Sequence, residues 1–386
     1  MHVILVGAGI GGLAAAVALT RTARVTLVEQ AAELSEIGAG LQVSANAARV
    51  LQRLGMGEAL HAIGYEPEAI EIREAASGAL LLRQPLGPAA RQRWGAPHYN
   101  VHRGDLHRML AERAVPASTL VLGVRVDGIE QDGGGVRVRL ADGRVLEGDV
   151  VVGCDGVRSA VRGALWGAET PRFTGVTAWR GSIPTDRLPA GLVPPTAAIW
   201  TGRGRHFVHY FVRRGALVNF VGLVDDADWT SESWTEQGDK ADLARDFAGW
   251  PDPVGPLIAA VPEAWRWALF DRPPMPHWSK GRATLLGDAA HPMLPSFAQG
   301  ASQAIEDAEA LARQLAGGGD PASALAAYES ERRERTARVQ ALSTRNLRLF
   351  HSGPLARPVF AAERMLSRIG LTKGAARLDW LYGYGA

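Results

Sequence analysis

Val3-Ile-Leu-Val-Gly-Ala-Gly-Ile-Gly-Gly-Leu-Ala-Ala-Ala-Val17 begins as an apolar strand, turns through Gly7, Gly9 and Gly12, and continues as an alanine-rich helix. A G-x-G-x-x-G spacing set between a strand and a helix is the sequence form of a dinucleotide-binding turn. Gly7 permits the tight turn, Gly9 lets a pyrophosphate approach the backbone, and Gly12 lets the helix pack on the strand. The helix N-terminus offers free N–H groups and the positive end of its dipole to the phosphates. Arg24-Val-Thr-Leu-Val-Glu29 reads as the second strand, and its terminal acid stands twenty residues beyond Gly9. A carboxylate there accepts a ribose 2′-OH and repels a 2′-phosphate.

Residues 3–19 are also apolar enough for a signal-peptide core, but they lack a basic segment before them and a small-residue cleavage site after them. Strand plus helix explains the glycines; a leader does not. No later stretch approaches the roughly 20 uninterrupted apolar residues of a membrane span. The one cysteine, Cys154, excludes an internal disulfide framework and points to a reducing compartment, so a cytoplasmic protein is expected. Formal net charge is +2, from 42 Lys and Arg against 40 Asp and Glu, with no basic run interleaved with aromatics, which argues against a nucleic-acid partner. No pair or trio of His, Cys and acidic residues has metal-ligand spacing, so no metal is expected. Ser159 and Ser296 lack the surroundings of a hydrolase nucleophile.

With 386 residues the chain can form two or three units around a large core. Residues 41–62 read as helix, with Leu51, Leu54 and Leu60 apolar; residues 68–85 alternate as strands. His102–Arg113 reads as helix, with Asp105 in its first turn. Val121–Glu130, Val136–Leu140 and Val145–Val152 read as a strand meander, turning at Asp132-Gly-Gly-Gly135 and Asp142-Gly143. From Thr177 to about Val224 the chain alternates again, and residues 300–345 are helical, interrupted at Ala316-Gly-Gly-Gly-Asp-Pro321. The expected fold is α/β: a discontinuous Rossmann-like nucleotide domain (1–70, 101–170 and 276–345), an inserted mixed β-sheet substrate domain (71–100 and 171–275), and C-terminal helices (346–386).

Two further strands end in acids. Asp149-Val-Val-Val-Gly-Cys-Asp-Gly-Val-Arg-Ser159 runs into Asp155-Gly156, and Thr284-Leu-Leu-Gly-Asp-Ala-Ala-His-Pro-Met-Leu-Pro295 into Gly287-Asp288. Ligands of open α/β sheets collect at such carboxyl ends. An aspartate there can hold a ribityl hydroxyl. In the following Gln299-Gly-Ala-Ser-Gln-Ala-Ile-Glu-Asp307, Gly300 and Ala301 offer N–H groups to the electron-rich end of an isoalloxazine. The competing reading makes Asp288 a helix cap and Gly287 a turn residue.

These motifs join Gly38-Ala-Gly-Leu-Gln-Val-Ser-Ala-Asn46, His102-Arg-Gly-Asp-Leu106 and Asp379-Trp-Leu-Tyr-Gly-Tyr384, and together span nearly the whole chain. On them the chain resembles the group A flavoprotein monooxygenases of the p-hydroxybenzoate hydroxylase fold. Within that family it is most similar to the branch of salicylate hydroxylase, 3-hydroxybenzoate 6-hydroxylase and 6-hydroxynicotinate 3-monooxygenase. The resemblance implies noncovalent FAD, with Glu29 on the adenosine ribose and Val126 on the adenine through its backbone. It implies Arg103 near the pyrophosphate and ribityl chain, and Asp288 on the ribityl group. Asp155 and Gly156 would serve flavin and nicotinamide nucleotide, and Pro295, Gly300 and Ala301 belong to the same implied cofactor set. The implied reaction takes electrons from NADH or NADPH, captures O2 as a C4a-hydroperoxyflavin and hydroxylates a small phenolic acid of salicylate or hydroxybenzoate type. A monomer or homodimer is expected.

The phenol must be oriented and ionised. Arg205-His-Phe-Val-His-Tyr-Phe-Val212 reads as one arm of a hairpin turning at Arg213-Arg214-Gly215, with His206, Val208 and Tyr210 on one face and Phe207, His209 and Phe211 on the other. Relatives acting on hydroxynicotinate or hydroxybenzoate carry a His and a Tyr at this spacing. His206 is therefore the expected acceptor of the phenol proton and Tyr210 its hydrogen-bonding partner; the competing reading makes both ordinary sheet residues. Gln42 and Ser296 stand where the hydroxynicotinate branch has histidines, which weakens a pyridine substrate. His291 is expected to be structural. Open alternatives are a hydroxypyridine or other heteroaromatic hydroxylase, and a flavin oxidase or reductase that does not hydroxylate; Cys154 is a poor covalent flavin anchor.

Overall fold

The opening strand His2–Val6 is apolar on both faces and lies inside a parallel sheet. In this computed structural model, which describes residues 1–34, 39–167, 169–228, 237–368 and 377–385, its neighbours are Arg24–Val28 and Val150–Gly153. Thr119–Val121 and Ala283–Leu285 extend the sheet, and Ser279–Lys280 adds an antiparallel edge. Strands covered on both faces are apolar throughout, which is why these segments show no alternation. Helix Ile10–Leu19 packs against Arg103–Ala114 and Gly300–Leu315. Among the described residues no helix is long and apolar enough to cross a membrane.

Seven strands form the second large sheet, in the order Trp265–Asp271, Arg172–Pro184, Leu217–Asp225, Arg205–Val212, Ala197–Gly202, Ala69–Glu74 and Leu80–Pro85. It is mixed, because Ala197–Gly202 runs parallel to Ala69–Glu74. Alternation gives it two faces. Trp179, Ile183, Phe207 and Phe220 pack beneath helices Lys240–Asp246 and Val254–Ala260. Ala178, Val221, Leu223 and Trp267 face the opposite way and pack against Leu294 and Leu347. The short pair Gly40–Val43 and Tyr99–His102 connects the sheets: the Gly40 N–H donates to Asn219 Oδ1 at 2.6 Å.

Four sequence expectations change. Val121–Glu130 is divided between strand Thr119–Val121 of the parallel sheet and strand Val126–Gln131 of a separate three-stranded sheet. Residues 41–62 are a strand, Gly40–Val43, followed by helices Ala45–Arg53 and Gly57–Ile63; Gly55, at φ +80°, breaks the helical run. Val145–Val152 is two strands in different sheets, divided where the Asp149 carboxylate accepts the His2 N–H at 2.6 Å. The second C-terminal helix spans Pro321–Phe350, so it runs past residue 345.

A buried ion cluster fastens the C-terminal helices to the parallel sheet. Arg332 is fully buried between Glu306 and Asp307, donating to Asp307 Oδ1 at 2.7 Å and to the Glu306 carboxylate. Arg335 donates to both Glu306 oxygens at 2.7 Å and to the backbone carbonyls of Trp380 and Leu381. Asp307 Oδ2 accepts from the Gly287 N–H at 3.1 Å and pairs with His291 Nε2 at 2.6 Å, giving His291 the structural place expected of it. Burial raises the Asp307 carboxyl, but the His291 and Arg332 partners outweigh it and hold it at about 2.

Removing one partner of a buried pair leaves an uncompensated charge, so Arg332→Met should cost about 3–5 kcal/mol in urea unfolding. A loss below 1 kcal/mol would remove the cluster from the fold's support. The native Asp307 carboxyl titrates near 2 against 3.8 when free, so its stabilisation is present above pH 4 and is lost as pH falls from about 4 to 2.

Candidate cofactor cleft and substrate face

The glycine turn is built by close approach. Gly7 adopts φ +101°, and a Cβ there would lie 2.6 Å from the Cys154 carbonyl oxygen; one on Gly12 would lie 1.9 Å from the Gly7 oxygen. Gly9 has the opposite surroundings: nothing lies within 4 Å of its Cβ position. It precedes helix Ile10–Leu19, whose N-terminus receives no side-chain cap. The turn therefore offers open backbone and uncommitted N–H groups. Glu29, at the end of the next strand, accepts the Ala8 N–H at 2.7 Å and the Ala31 N–H at 2.9 Å. His107 Nε2 pairs with the Ala8 carbonyl at 2.8 Å. The segment after Val121 folds back over this edge, its Val124 N–H reaching the Glu29 carbonyl at 3.3 Å, and leads into strand Val126–Gln131.

Asp288 lies at the same edge, in the short turn Gly287–Ala289 after strand Ala283–Leu285. It is exposed, and among the described residues its carboxylate makes no hydrogen bond. Surrounding protein nevertheless raises its carboxyl above the usual range, opposed by the charges of His291 and Arg103. Exposed at the carboxyl end of a strand, the carboxylate is open to a ligand. A Cβ on Gly300 would come within 4.0 Å of Asp288 Oδ1, which puts the carboxylate beside the N-terminus of helix Gly300–Leu315 and its residue Ala301. Gln299, and not Asp288, occupies the N-cap position of that helix, and no side chain caps it. Pro295 starts the turn Pro295–Phe297; Gln340 Nε2 holds the preceding loop through the Pro292 carbonyl at 2.8 Å.

Asp155 is placed differently from Asp288. Its carboxylate accepts the Ser159 hydroxyl at 2.5 Å and the Ala160 and Val161 N–H groups at 2.7 and 3.2 Å, so it closes its own loop. Gly156, at φ +78°, has open space about its Cβ position. Cys154 is half-buried, and desolvation together with Asp155 pushes its thiol pKa well up.

Across from this edge stands the face of the seven-stranded sheet that carries His206 and Tyr210, joined to the glycine-rich strand at Gly40. A Cβ on Gly40 would lie 2.7 Å from the Tyr210 ring and 2.6 Å from Asn219. Arg180, on the same face, stacks its guanidinium 4.6 Å from the centre of the Trp267 ring. Its Nε is buried without a partner, and no carboxylate pairs with it among the described residues. Burial lowers its pKa to about 10, with Tyr210 opposing and Arg103 adding to the effect. Burial also raises Tyr210 beyond the usual phenol range.

His206 does not hydrogen-bond to Tyr210. Its Nδ1 lies 2.7 Å from His351 Nε2, and His351 Nδ1 lies 2.6 Å from Asp225 Oδ1. The two residues share a face, but the end of helix Pro321–Phe350 reaches His206 first, with Phe350 packed on its ring. His209 points the other way, its Nε2 accepting Trp200 Nε1–H at 3.1 Å within the opposite core.

The chain matches the FAD binding domain family over residues 1–343. It belongs to this family of FAD-dependent monooxygenases. It is 40% identical over 392 residues to a 3-amino-4-hydroxybenzoate 2-monooxygenase of Streptomyces platensis, covering 100% of this chain and 96% of that protein. It is 40% identical over 351 residues to a 6-hydroxynicotinate 3-monooxygenase of Bordetella bronchiseptica, covering 89% and 91%. The solved structure of Klebsiella pneumoniae HpxO complexed with FAD and uric acid superposes with a TM-score of 0.85 at 29% identity, covering 96% of this chain and 94% of that one.

The cleft fits FAD on its own geometry. Gly9 leaves room for a pyrophosphate against bare amides, and Asp288 presents an unengaged carboxylate for a hydroxyl. Arg103 begins helix Arg103–Ala114, its N–H bonded to the Ala39 carbonyl at 2.8 Å, where its charge bears on both Asp288 and Arg180. Gly38 of the second glycine motif lies outside the described residues. Sequence reasoning missed Arg180, Asn219, His351 and Asp225. Arg180 is one arginine among many in the sequence, and His351 meets His206 across 145 residues, so no local pattern announces either.

An FAD titration followed by flavin fluorescence checks the cleft. Asp288→Ala and Glu29→Lys should each weaken FAD retention about 10- to 100-fold, the loss of one or two hydrogen bonds to a charged acceptor, with the thermal midpoint of the apoprotein little changed in Asp288→Ala, whose carboxylate holds no protein group. Wild-type affinity in either variant removes that residue from the site.

Proposed function

We propose that the protein hydroxylates a phenolic aromatic acid held between the FAD cleft and the His206–Tyr210 sheet face. The observation that supports this most directly is Arg180. Arg180 is half-buried with its Nε covered, and a cation so placed with no protein counter-charge among the described residues is costly unless a ligand supplies the anion. A carboxylate or phenolate on the substrate does so. Bound FAD supplies the redox chemistry, passing electrons from NAD(P)H to O2 and one oxygen atom to the ring.

The chain's own residues supply the rest. Leu223, Val221, Leu294 and Trp267 make an apolar wall that keeps water from the ring. Tyr210 and Asn219 offer hydrogen bonds from the strand-crossing side. His206 is the candidate to accept the hydroxyl proton. Burial and the facing His351 hold it well below 6.5, so it is neutral and able to accept. Gln42 and Ser296 favour a benzoate over a hydroxypyridine carboxylate, because the hydroxynicotinate branch that this chain resembles carries histidines at both positions. The cytoplasm suits a chain with a single, half-buried thiol, and the unit is a monomer or homodimer.

NAD(P)H oxidation, O2 uptake and product mass across monohydroxybenzoates, aminohydroxybenzoates and 6-hydroxynicotinate should show a hydroxybenzoate stimulating both rates and gaining one oxygen atom. The corresponding phenol without its carboxylate should be a poor substrate. Stimulation by no phenolic acid, or equal use of the carboxylate-free phenol, contradicts the reading.

His206→Ala should lower product formation by roughly 10²–10⁴-fold, the range of a positioned base, while NAD(P)H oxidation continues and releases peroxide. His209→Ala, on the opposite face, is the comparison. Equal losses in both, or full coupling without His206, would discard His206 as the base.

A further inference from the structure

His206 is only 1% exposed, so a proton it accepts has no direct route to water. Its Nδ1 instead meets His351 Nε2 at 2.7 Å, and His351 Nδ1 meets Asp225 Oδ1 at 2.6 Å. The His351 side chain is 7% exposed and that of Asp225 is 55% exposed. The three groups thus step from the substrate face to bulk solvent. Among the described residues the remaining ring nitrogen of His206, Nε2, makes no hydrogen bond.

The geometry is held from three sides. His206 lies in strand Arg205–Val212, and Asp225 ends the neighbouring strand Leu217–Asp225. His351 is the first residue beyond helix Pro321–Phe350, and its carbonyl accepts the Gly204 N–H at 2.9 Å. Arg203 bridges to Ser352, and Gly353, at φ +61°, lets the chain pass close to Arg203. The Asp225 N–H in turn bonds the Gly204 carbonyl at 2.8 Å.

We propose that His206, His351 and Asp225 form a relay that delivers the substrate's hydroxyl proton to solvent. This rests on the reading of His206 as the phenol's base. The substrate O–H bond breaks as an N–H bond forms at His206 Nε2. His206 gives its Nδ1 proton to His351 Nε2, and His351 gives its Nδ1 proton to Asp225 Oδ1. The Asp225 carboxyl then loses its proton to water. The net change is phenol to phenolate plus one proton in solvent; both imidazoles stay neutral and exchange tautomer, and the reverse transfer resets them, a solvent proton entering through Asp225 and His351 as the His206 Nε2 proton passes to the phenolate oxygen of the product. Burial disfavours a charged imidazolium at His206, so the proton is handed on and not stored. Arg205 faces His351 and also disfavours a positive charge there, against the pull of Asp225. Arg180, on the same face, is the cation that balances the anion left behind.

Stopped-flow mixing of the FAD-loaded enzyme with 3-amino-4-hydroxybenzoate, or with whichever panel compound turns over fastest, tests the relay. The readouts are phenolate absorbance and a pH-indicator dye in weak buffer. Asp225→Asn should slow substrate ionisation and proton appearance about 10- to 100-fold, with substrate Kd and FAD retention unchanged. Imidazole or formate at high concentration should restore the rate, because Asp225 is open to solvent. His351→Gln should slow ionisation similarly, with weaker rescue because that residue is covered. A purely structural contact would change Kd or thermal midpoint and would not respond to buffer. Wild-type proton release in both variants, or a slow rate that buffer does not restore in Asp225→Asn, overturns the relay. His206→Gln separates the two layers: if it ionises substrate at the wild-type rate, the base assignment fails; if it is slow while the other two are normal, only the relay fails.

Discussion

A guanidinium buried between two adjacent carboxylates organises this molecule. Arg332 lies between Glu306 and Asp307, on the helix whose N-terminus faces the cofactor cleft. Through Asp307 the same cluster holds the Gly287 N–H and His291, and so sets the loop that carries Asp288. Through Arg335 it holds the backbone at Trp380 and Leu381, while Arg93 and Trp94 grip the Asp379 carboxylate from the other side. Residues near both ends of the C-terminal half are thereby fixed against the parallel sheet. A buried charge pair is a poor source of net stability compared with apolar packing. Its value here is positional, because each oxygen has one geometry in which it is satisfied.

With that edge held, the second sheet can be brought close. The crossing at Gly40 tolerates no side chain against Tyr210 and Asn219, so the cofactor cleft and the sheet face approach to van der Waals distance there. Farther along the face the apolar wall of Val221 and Leu223 meets Leu294, and the C-terminal end of the long helix covers His206. On the proposed reading this face presents a cation without a protein carboxylate, Arg180, and a neutral histidine, His206, to the ring. Those conditions favour an anionic aromatic ring and strengthen every electrostatic contact made with it.

Much of this was legible in the chain. The glycine turn, Glu29, and the strand ends at Asp155 and Asp288 are local patterns, and local patterns survive in a one-dimensional reading. The face assignment of His206, Tyr210 and His209 followed from strand periodicity. Reading residues 41–62 as helix failed because four extended residues, Gly40–Val43, pair only with a strand sixty residues away. Asp155 sits where a ligand carboxylate is expected, yet its oxygens are taken by its own loop, a choice made by turn geometry that sequence spacing does not carry. Arg180, His351 and Asp225 were invisible for a related reason: each matters only through partners on other elements.

The central claim is that the substrate's anion sits on the sheet face at Arg180 while FAD occupies the opposite wall. Titrating the oxidised, FAD-loaded enzyme with a hydroxybenzoate and following the flavin absorption spectrum tests it in wild type and Arg180→Met. The account predicts a saturable spectral change in wild type and a Kd raised about 30- to 1,000-fold in the variant, the usual cost of removing one member of a buried charge pair, with FAD still bound. An unchanged Kd in Arg180→Met would show that the anion is held elsewhere and that this face is not the substrate wall.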